Sequence, residues 1–161
     1  MLPRVSPSRL MGRLEELASV GAIEGGGSCR LALTDADRAG RDLVVAWMRD
    51  LGLRVDIDGV GNVSGVWDVG QGSPVMTGSH IDTVRTGGRY DGNYGVLAGL
   101  EVIETLMLSG ATPPTSARGG LLHQRRGGSI PTRHARLPRP RRGHVARERS
   151  RHGRHRRCPT G

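Results

Sequence analysis

The chain has 161 residues and a formal net charge of +9, with 26 Gly, no Phe, and Arg supplying all 24 of its Lys-plus-Arg residues. That length bounds it to one domain. It has no run of about 18 apolar residues, which excludes a membrane-spanning helix, and its opening MLPRVSPSRLMGRLEELASV lacks the apolar core of a signal peptide, which points to the cytoplasm.

SRLMGRLEELASVG reads as the first helix, with Ser6 able to cap it and Pro7 suited to its first turn. Leu10, Leu14 and Leu17 recur on one face at helical spacing. After the glycine-rich loop AIEGGGSCR, TDADRAGRDLVVAWMRDLG reads as a second helix. Thr34 is its N-cap, Asp35 and Asp37 suit the positive end of the helix dipole, and Gly52 suits the exit. LRVDID alternates apolar and polar residues as a half-buried strand does, and NVSGVWDV follows after a GVG turn, so the two predict a hairpin. SPVMTGSH predicts a short third strand, and Tyr94–Leu108 a helix ended by Gly110 and Pro113-Pro114. Helix, strand, strand, strand, helix implies an α/β layer arrangement.

A further strand should follow Pro114, but none is legible. Residues 1–114 hold 10 Arg against 14 Asp and Glu, a net −4, whereas residues 115–161 hold 14 Arg against Glu148 alone, a net +13. The second segment lacks apolar periodicity, and its composition predicts a disordered basic tail. The expected organisation is therefore a domain over residues 1–114 and a tail over 115–161. Such a tail admits a non-enzymatic reading, a nucleic-acid-binding arm held by counterion release.

The chemistry lies in VMTGSHIDTVRTGGRYDGNYGVLAGL. His80 stands at the carboxyl end of the third predicted strand, where open α/β sheets bind ligands. Asp82 is two residues on, on the same side of an extended chain, and is placed to accept the second ring N–H of a metal-bound His80. Asp91 follows a Gly-Gly loop and stands just before the helix. His and Asp ligands with room for water suit zinc or a similar divalent ion. On spacing alone the bland alternative is the commoner one: Asp91 as a helix cap, Gly87-Gly88 as a turn, and His80 as a polar residue at a strand end.

GSHIDTVRTGGRYDGNYGVLAGLEVIETL, with DRAGRDLVVAWMRDLGLRVDIDGVGNVSG upstream, resembles the dinuclear metal amidohydrolases of the M20 peptidase group: N-carbamoyl-L-amino-acid hydrolases, allantoate amidohydrolases and β-ureidopropionases. The resemblance covers about residues 8–114. It implies the fold of a metallopeptidase-like catalytic domain, with helices packed on a mixed sheet, two zinc or manganese ions, and a ureido or linear amide substrate. It implies that His80 binds one metal, that Asp91 bridges two, and that Asp82 orients His80. It also implies a homodimer made through a second domain, with neither nucleic acid nor membrane as partner. Other M20 members, aminopeptidases and dipeptidases, share the metals; the GGRYDG loop favours the ureido branch.

The family pattern continues with a strand ending in F-T-N-E-E-G, whose first Glu is the general base and whose second is a metal ligand. This chain has LHQRRGGSIPTRHARLP at that point. Moved by one base, codons for residues 122–138 can spell FTNEEGVRYQPDMLGS. Third bases are free, but the first base of each shifted codon is the middle base of the codon in this chain, and it fits throughout. TSARGGLL likewise permits HPLEVVSF. The expectation is a one-base slip near Thr115, an accidental basic tail, and an inactive polypeptide whose sheet has an unpaired edge.

Overall fold

The computed structural model describes residues 3–121. Helices α1 (Pro7–Ser19) and α2 (Asp35–Asp50) precede strands β1 (Arg54–Ile57), β2 (Val63–Trp67) and β3 (Val75–Ser79); helix α3 (Asn93–Leu108) and strand β4 (Ala117–Leu121) follow. The caps are those the sequence predicts. Ser6 accepts a hydrogen bond from Arg9 N, Thr34 accepts one from Asp37 N, and Gly52 and Gly110 take positive φ at the helix exits.

The sheet has the order β1-β2-β4-β3. β1 and β2 form the expected antiparallel hairpin, β4 runs antiparallel to β2, and β3 runs parallel to β4. The sheet is thus mixed, and β3-α3-β4 is a crossover unit of the kind that parallel pairing requires. Leu14 and Leu17 of α1, Val44 and Met48 of α2, Leu97, Leu100 and Ile103 of α3, and Val63 and Leu121 of the sheet form one buried cluster. Among the described residues β3 lies at an edge of the sheet, and Val75 and Met76 on it are exposed.

β4 corrects one expectation. The basic segment was to carry no strand and to begin at residue 115, yet Ala117–Leu121 pairs on both sides and buries Leu121. The reason is backbone chemistry. A central slot satisfies the N–H and C=O groups of almost any extended segment. Gly119 and Gly120 add nothing to obstruct it: a Cβ on Gly120 would lie 2.9 Å from Met76 Cε, and one on Gly119 3.2 Å from Ile103 Cδ1. The other residues of the predicted tail, 122–161, lie outside the described residues, as does the basic arm read from them. Among the described residues no helix is long and apolar enough to cross a membrane.

α1 and α3 are joined by an ion-pair network. Arg9 donates from Nε and Nη2 to Glu101, each at 2.7 Å, Ser6 N donates to Glu101 at 2.6 Å, and Arg13 Nη1 lies 2.7 Å from Glu104. Burial alone would raise the Glu101 carboxyl, but the bonds from Arg9, Ser6 and Thr105 outweigh it and hold the group below the ordinary carboxylate range. A depressed folded value contributes stability above the unfolded value, about 4.3 for Glu. That contribution disappears as pH falls through the folded value. Glu101→Ala is expected to cost about 3 kcal/mol, the low end for a broken buried pair, because Arg9 keeps some water. Urea unfolding should show that loss at neutral pH and a narrowing gap from wild type as pH drops below the ordinary glutamate range; a gap independent of pH would contradict the assignment.

Candidate metal centre

The candidate residues lie in the loop from the carboxyl end of β3 to the start of α3. His80 is the first residue past β3. Its Nδ1 lies 3.0 Å from the backbone O of Asp82 and 3.3 Å from Asp82 Oδ1. Both neighbours are acceptors, so Nδ1 carries the proton and the Nε2 lone pair is left over. That is the tautomer a metal-binding imidazole needs, and the carboxylate partner is the one that commonly sets it. The side chains of His80 and Asp82 are 21 % and 14 % exposed, so the pair is sheltered but open to a small ligand.

Asp91 is exposed and stands in a tight turn, its N–H donating to Gly88 O and its carbonyl accepting from Asn93 N at 2.8 Å. The helix-cap alternative fails here: Gly92 is the N-cap of α3, and no side chain caps that end. The Asp91 carboxylate has no hydrogen-bond partner among the described residues. Gly92 brings the Asp91 segment to His80. At Gly92 φ is +69°, and a Cβ there would lie 2.5 Å from His80 Cε1 and 2.6 Å from Nδ1. The backbone of the Asp91 segment therefore packs directly on the imidazole, which no larger residue would allow.

The Gly-Gly stretch is more than a turn. Ser28 and Gly87 exchange two backbone hydrogen bonds, at 2.9 and 3.0 Å, tying the loop to the segment between α1 and α2. A Cβ on Gly87 would meet Thr83 Cβ at 2.6 Å. Thr83 Oγ1 accepts from Arg30 N at 2.7 Å and donates to Ser28 O.

Arg30 is the residue that sequence reasoning missed. It is completely buried, and its guanidinium donates to Ile81 O, Leu17 O, Val20 O and Asn93 Oδ1 at 2.7–3.0 Å. Burial lowers its pKa, opposed by the charges of Asp37 and Asp82. The one sequence signal for it was a lone cation inside the otherwise uncharged CRLAL.

An imidazole nitrogen and a carboxylate on one loop fit a borderline cation such as zinc or manganese. They are two donors where a structural or catalytic zinc takes three or four protein ligands, and no group of three His, Cys, Asp or Glu side chains stands together among the described residues. A separate cleft at the start of α2, lined by Asp35, Asp37, Arg38, Arg41, Asp42 and Val60 among others, includes none of His80, Asp82 and Asp91.

No protein-family model matches the chain. It is 43 % identical over 104 residues to an N-carbamoyl-L-amino-acid amidohydrolase of Pseudomonas sp., covering 63 % of this chain and 25 % of that protein. It is 38 % identical over 121 residues to an allantoate amidohydrolase of Bacillus subtilis, covering 73 % and 29 %. The chain thus spans about a quarter of the length of the curated relatives it matches. Among solved structures, a hydantoinase/carbamoylase family amidase from Burkholderia ambifaria superposes with a TM-score of 0.72 at 46 % identity, over 75 % of this chain and 30 % of that one. The aminopeptidase PepT from Bacillus cereus shares the fold alone, with a TM-score of 0.57 at 16 % identity.

Proposed function

The matched part of this chain belongs to the hydantoinase/carbamoylase family of amidohydrolases, and from that premise we propose that it carries part of a metal-dependent catalytic domain that hydrolyses linear ureido or amide C–N bonds. N-carbamoyl-L-amino acids and allantoate are the substrates put forward, with zinc or manganese as the metal. The observation that carries the reading is the arrangement at the end of β3: His80 with its Nδ1 engaged by Asp82, and an Asp91 carboxylate without a hydrogen-bond partner among the described residues, whose segment packs on the same ring.

In this reading His80 and Asp91 hold metal, and Asp82 fixes the ring of His80. The metal, when bound, polarises the substrate carbonyl and supplies hydroxide at neutral pH. The chain's own residues orient and hold. Asp82 keeps the His80 proton on Nδ1, and Gly92 lets the backbone next to Asp91 pack on the imidazole.

The same reading includes the slip of frame. β3 and β4 are parallel and in register, with Ser79 beside Leu121. The shifted string sets its two glutamates at the codons of Arg125 and Arg126, a few residues past that point, as His80 is one residue past Ser79. Adjacent parallel strands deliver their following residues to the same end of the sheet. A glutamate pair there would supply the missing ligand and the general base. The 161-residue polypeptide lacks that pair and is expected to be inactive, since a general base alone contributes about 10²- to 10⁴-fold.

The test is to resequence the gene and express it with one base restored near Thr115. The restored protein, loaded with zinc or manganese, should release ammonia or a free amino acid from N-carbamoyl amino acids or allantoate, and the 161-residue form should not. Turnover of dipeptides with none of any ureido substrate would move the assignment to the peptidase branch. Codons unable to spell the glutamate motif would end the frame proposal.

A further inference from the structure

We infer that Arg30 is a positioning residue for the metal centre: buried beneath the loop that follows β3, it sets the spacing between His80 and Asp91 without touching metal or substrate. The inference rests on the reading of His80 and Asp91 as metal ligands.

A buried guanidinium must have its N–H groups satisfied or it is strongly unfavourable. Arg30 has no hydrogen bond to a carboxylate among the described residues; its charge is met by carbonyl dipoles and one amide. Two of these carbonyls, Leu17 O in the last turn of α1 and Val20 O of its C-cap, at 3.0 and 2.7 Å, stand at the end of α1, where the helix dipole is negative. Capping α1 accounts for one nitrogen. The other two point elsewhere.

Nε donates at 2.8 Å to Ile81 O, the carbonyl between His80 and Asp82. Nη2 donates at 3.0 Å to Oδ1 of Asn93, the first residue of α3 and two past Asp91. The planar fork therefore spans the two chain segments that carry the ligands, at a separation set by covalent geometry. The main chain of the same residue grips the loop again: Arg30 N donates to Thr83 Oγ1 and Thr83 N donates to Arg30 O, each at 2.7 Å. The fold makes room for the arrangement at Gly40 of α2, where a Cβ would lie 2.7 Å from Arg30 Cδ. Lys cannot replace this, because an ammonium is a point donor without a rigid fork.

The experiment uses the full chain. Arg30→Lys is compared with wild type in thermal unfolding, in the ¹⁵N shifts of His80 in the metal-free protein, and in zinc affinity by calorimetry. His80→Ala identifies the His80 signals and subtracts zinc bound elsewhere. Wild type should show His80 as the Nδ1–H tautomer. Arg30→Lys should shift it toward a tautomer mixture and weaken His80-dependent zinc binding about 10- to 100-fold, the range for losing a group that orients a ligand. A folded Arg30→Lys with a lower Tm but unchanged His80 shifts and zinc affinity would overturn the proposal, leaving Arg30 a structural cap. If Arg30→Lys does not fold, Asn93→Ala, which removes only the far end of the fork, decides by the same readouts; if neither folds, the proposal falls. Absence of His80-dependent zinc binding in wild type would instead count against the metal reading, while the tautomer comparison still decides whether Arg30 governs the loop.

Discussion

In the frame-restored protein, Asp91→Asn is expected to lower kcat/KM by about 10³-fold or more with the fold intact. The magnitude follows from what a metal contributes: Lewis-acid stabilisation is worth several kcal/mol, and each 1.36 kcal/mol is a factor of ten. Asn keeps the shape of the side chain and removes its charge. The Asp91 carboxylate makes no hydrogen bond among the described residues, and α3 begins at a Gly92 cap that does not use it. The substitution therefore removes nothing that holds the fold, so Tm should stay within error of the parent. Asp82→Asn is the graded control. It leaves the backbone O of Asp82, the nearer partner of His80 Nδ1, in place, so its effect should fall in the 10- to 100-fold range of an orienting group. Steady-state kinetics with metal content measured on the same samples checks both. Asp91→Asn turning over at the parental rate with full metal occupancy would remove Asp91 from the centre.

The helices, the hairpin and the third strand were legible because each carried two agreeing signals, a periodicity and a cap or turn residue, as at Ser6 with Leu10, Leu14 and Leu17. β4 was not legible, for a physical reason. ARGGL has no alternation and two glycines, which strands disfavour, so its local preference was silent. The decision was made by the slot between β2 and β3, which no local reading sees. In the shifted frame the codons of ARGGL and that of Leu122 permit LEVVSF, an apolar run of the kind a buried parallel strand carries. The site divides in the same way. His80, Asp82 and Asp91 could be put forward as candidates because their spacing is local and their motif specific. Arg30 could not, because its meaning lies in contacts to residues 13 before and 51 and 63 beyond it. Gly92 was visible only as one glycine of a motif; its role is a distance of closest approach to a ring twelve residues earlier in the chain, and spacing does not encode that.

That approach supports the second large effect, a loss of about 3 kcal/mol in Gly92→Ala. Two contributions combine. A non-glycine residue at φ +69° costs about 1–2 kcal/mol. Forcing a methyl into filled space costs about 1–3 kcal/mol more, and here the space is filled by His80 Cε1, Nδ1 and backbone O, all within 2.6 Å of the added atom. The backbone oxygen cannot move without the end of β3, and the ring cannot move without breaking its contacts to Asp82. Gly110 provides the control, since it has the same φ of +69° at the exit of α3 and nothing within 4 Å of an added Cβ. Gly110→Ala should cost the conformational part alone, about 1 kcal/mol. The difference between the two variants in urea unfolding isolates the contact with the imidazole. Gly92→Ala should also disturb the His80 tautomer and Gly110→Ala should not. Equal destabilisation by both, with His80 unchanged, would mean that the ring does not rest on Gly92, and the geometry that brings Asp91 to His80 would have to be redrawn.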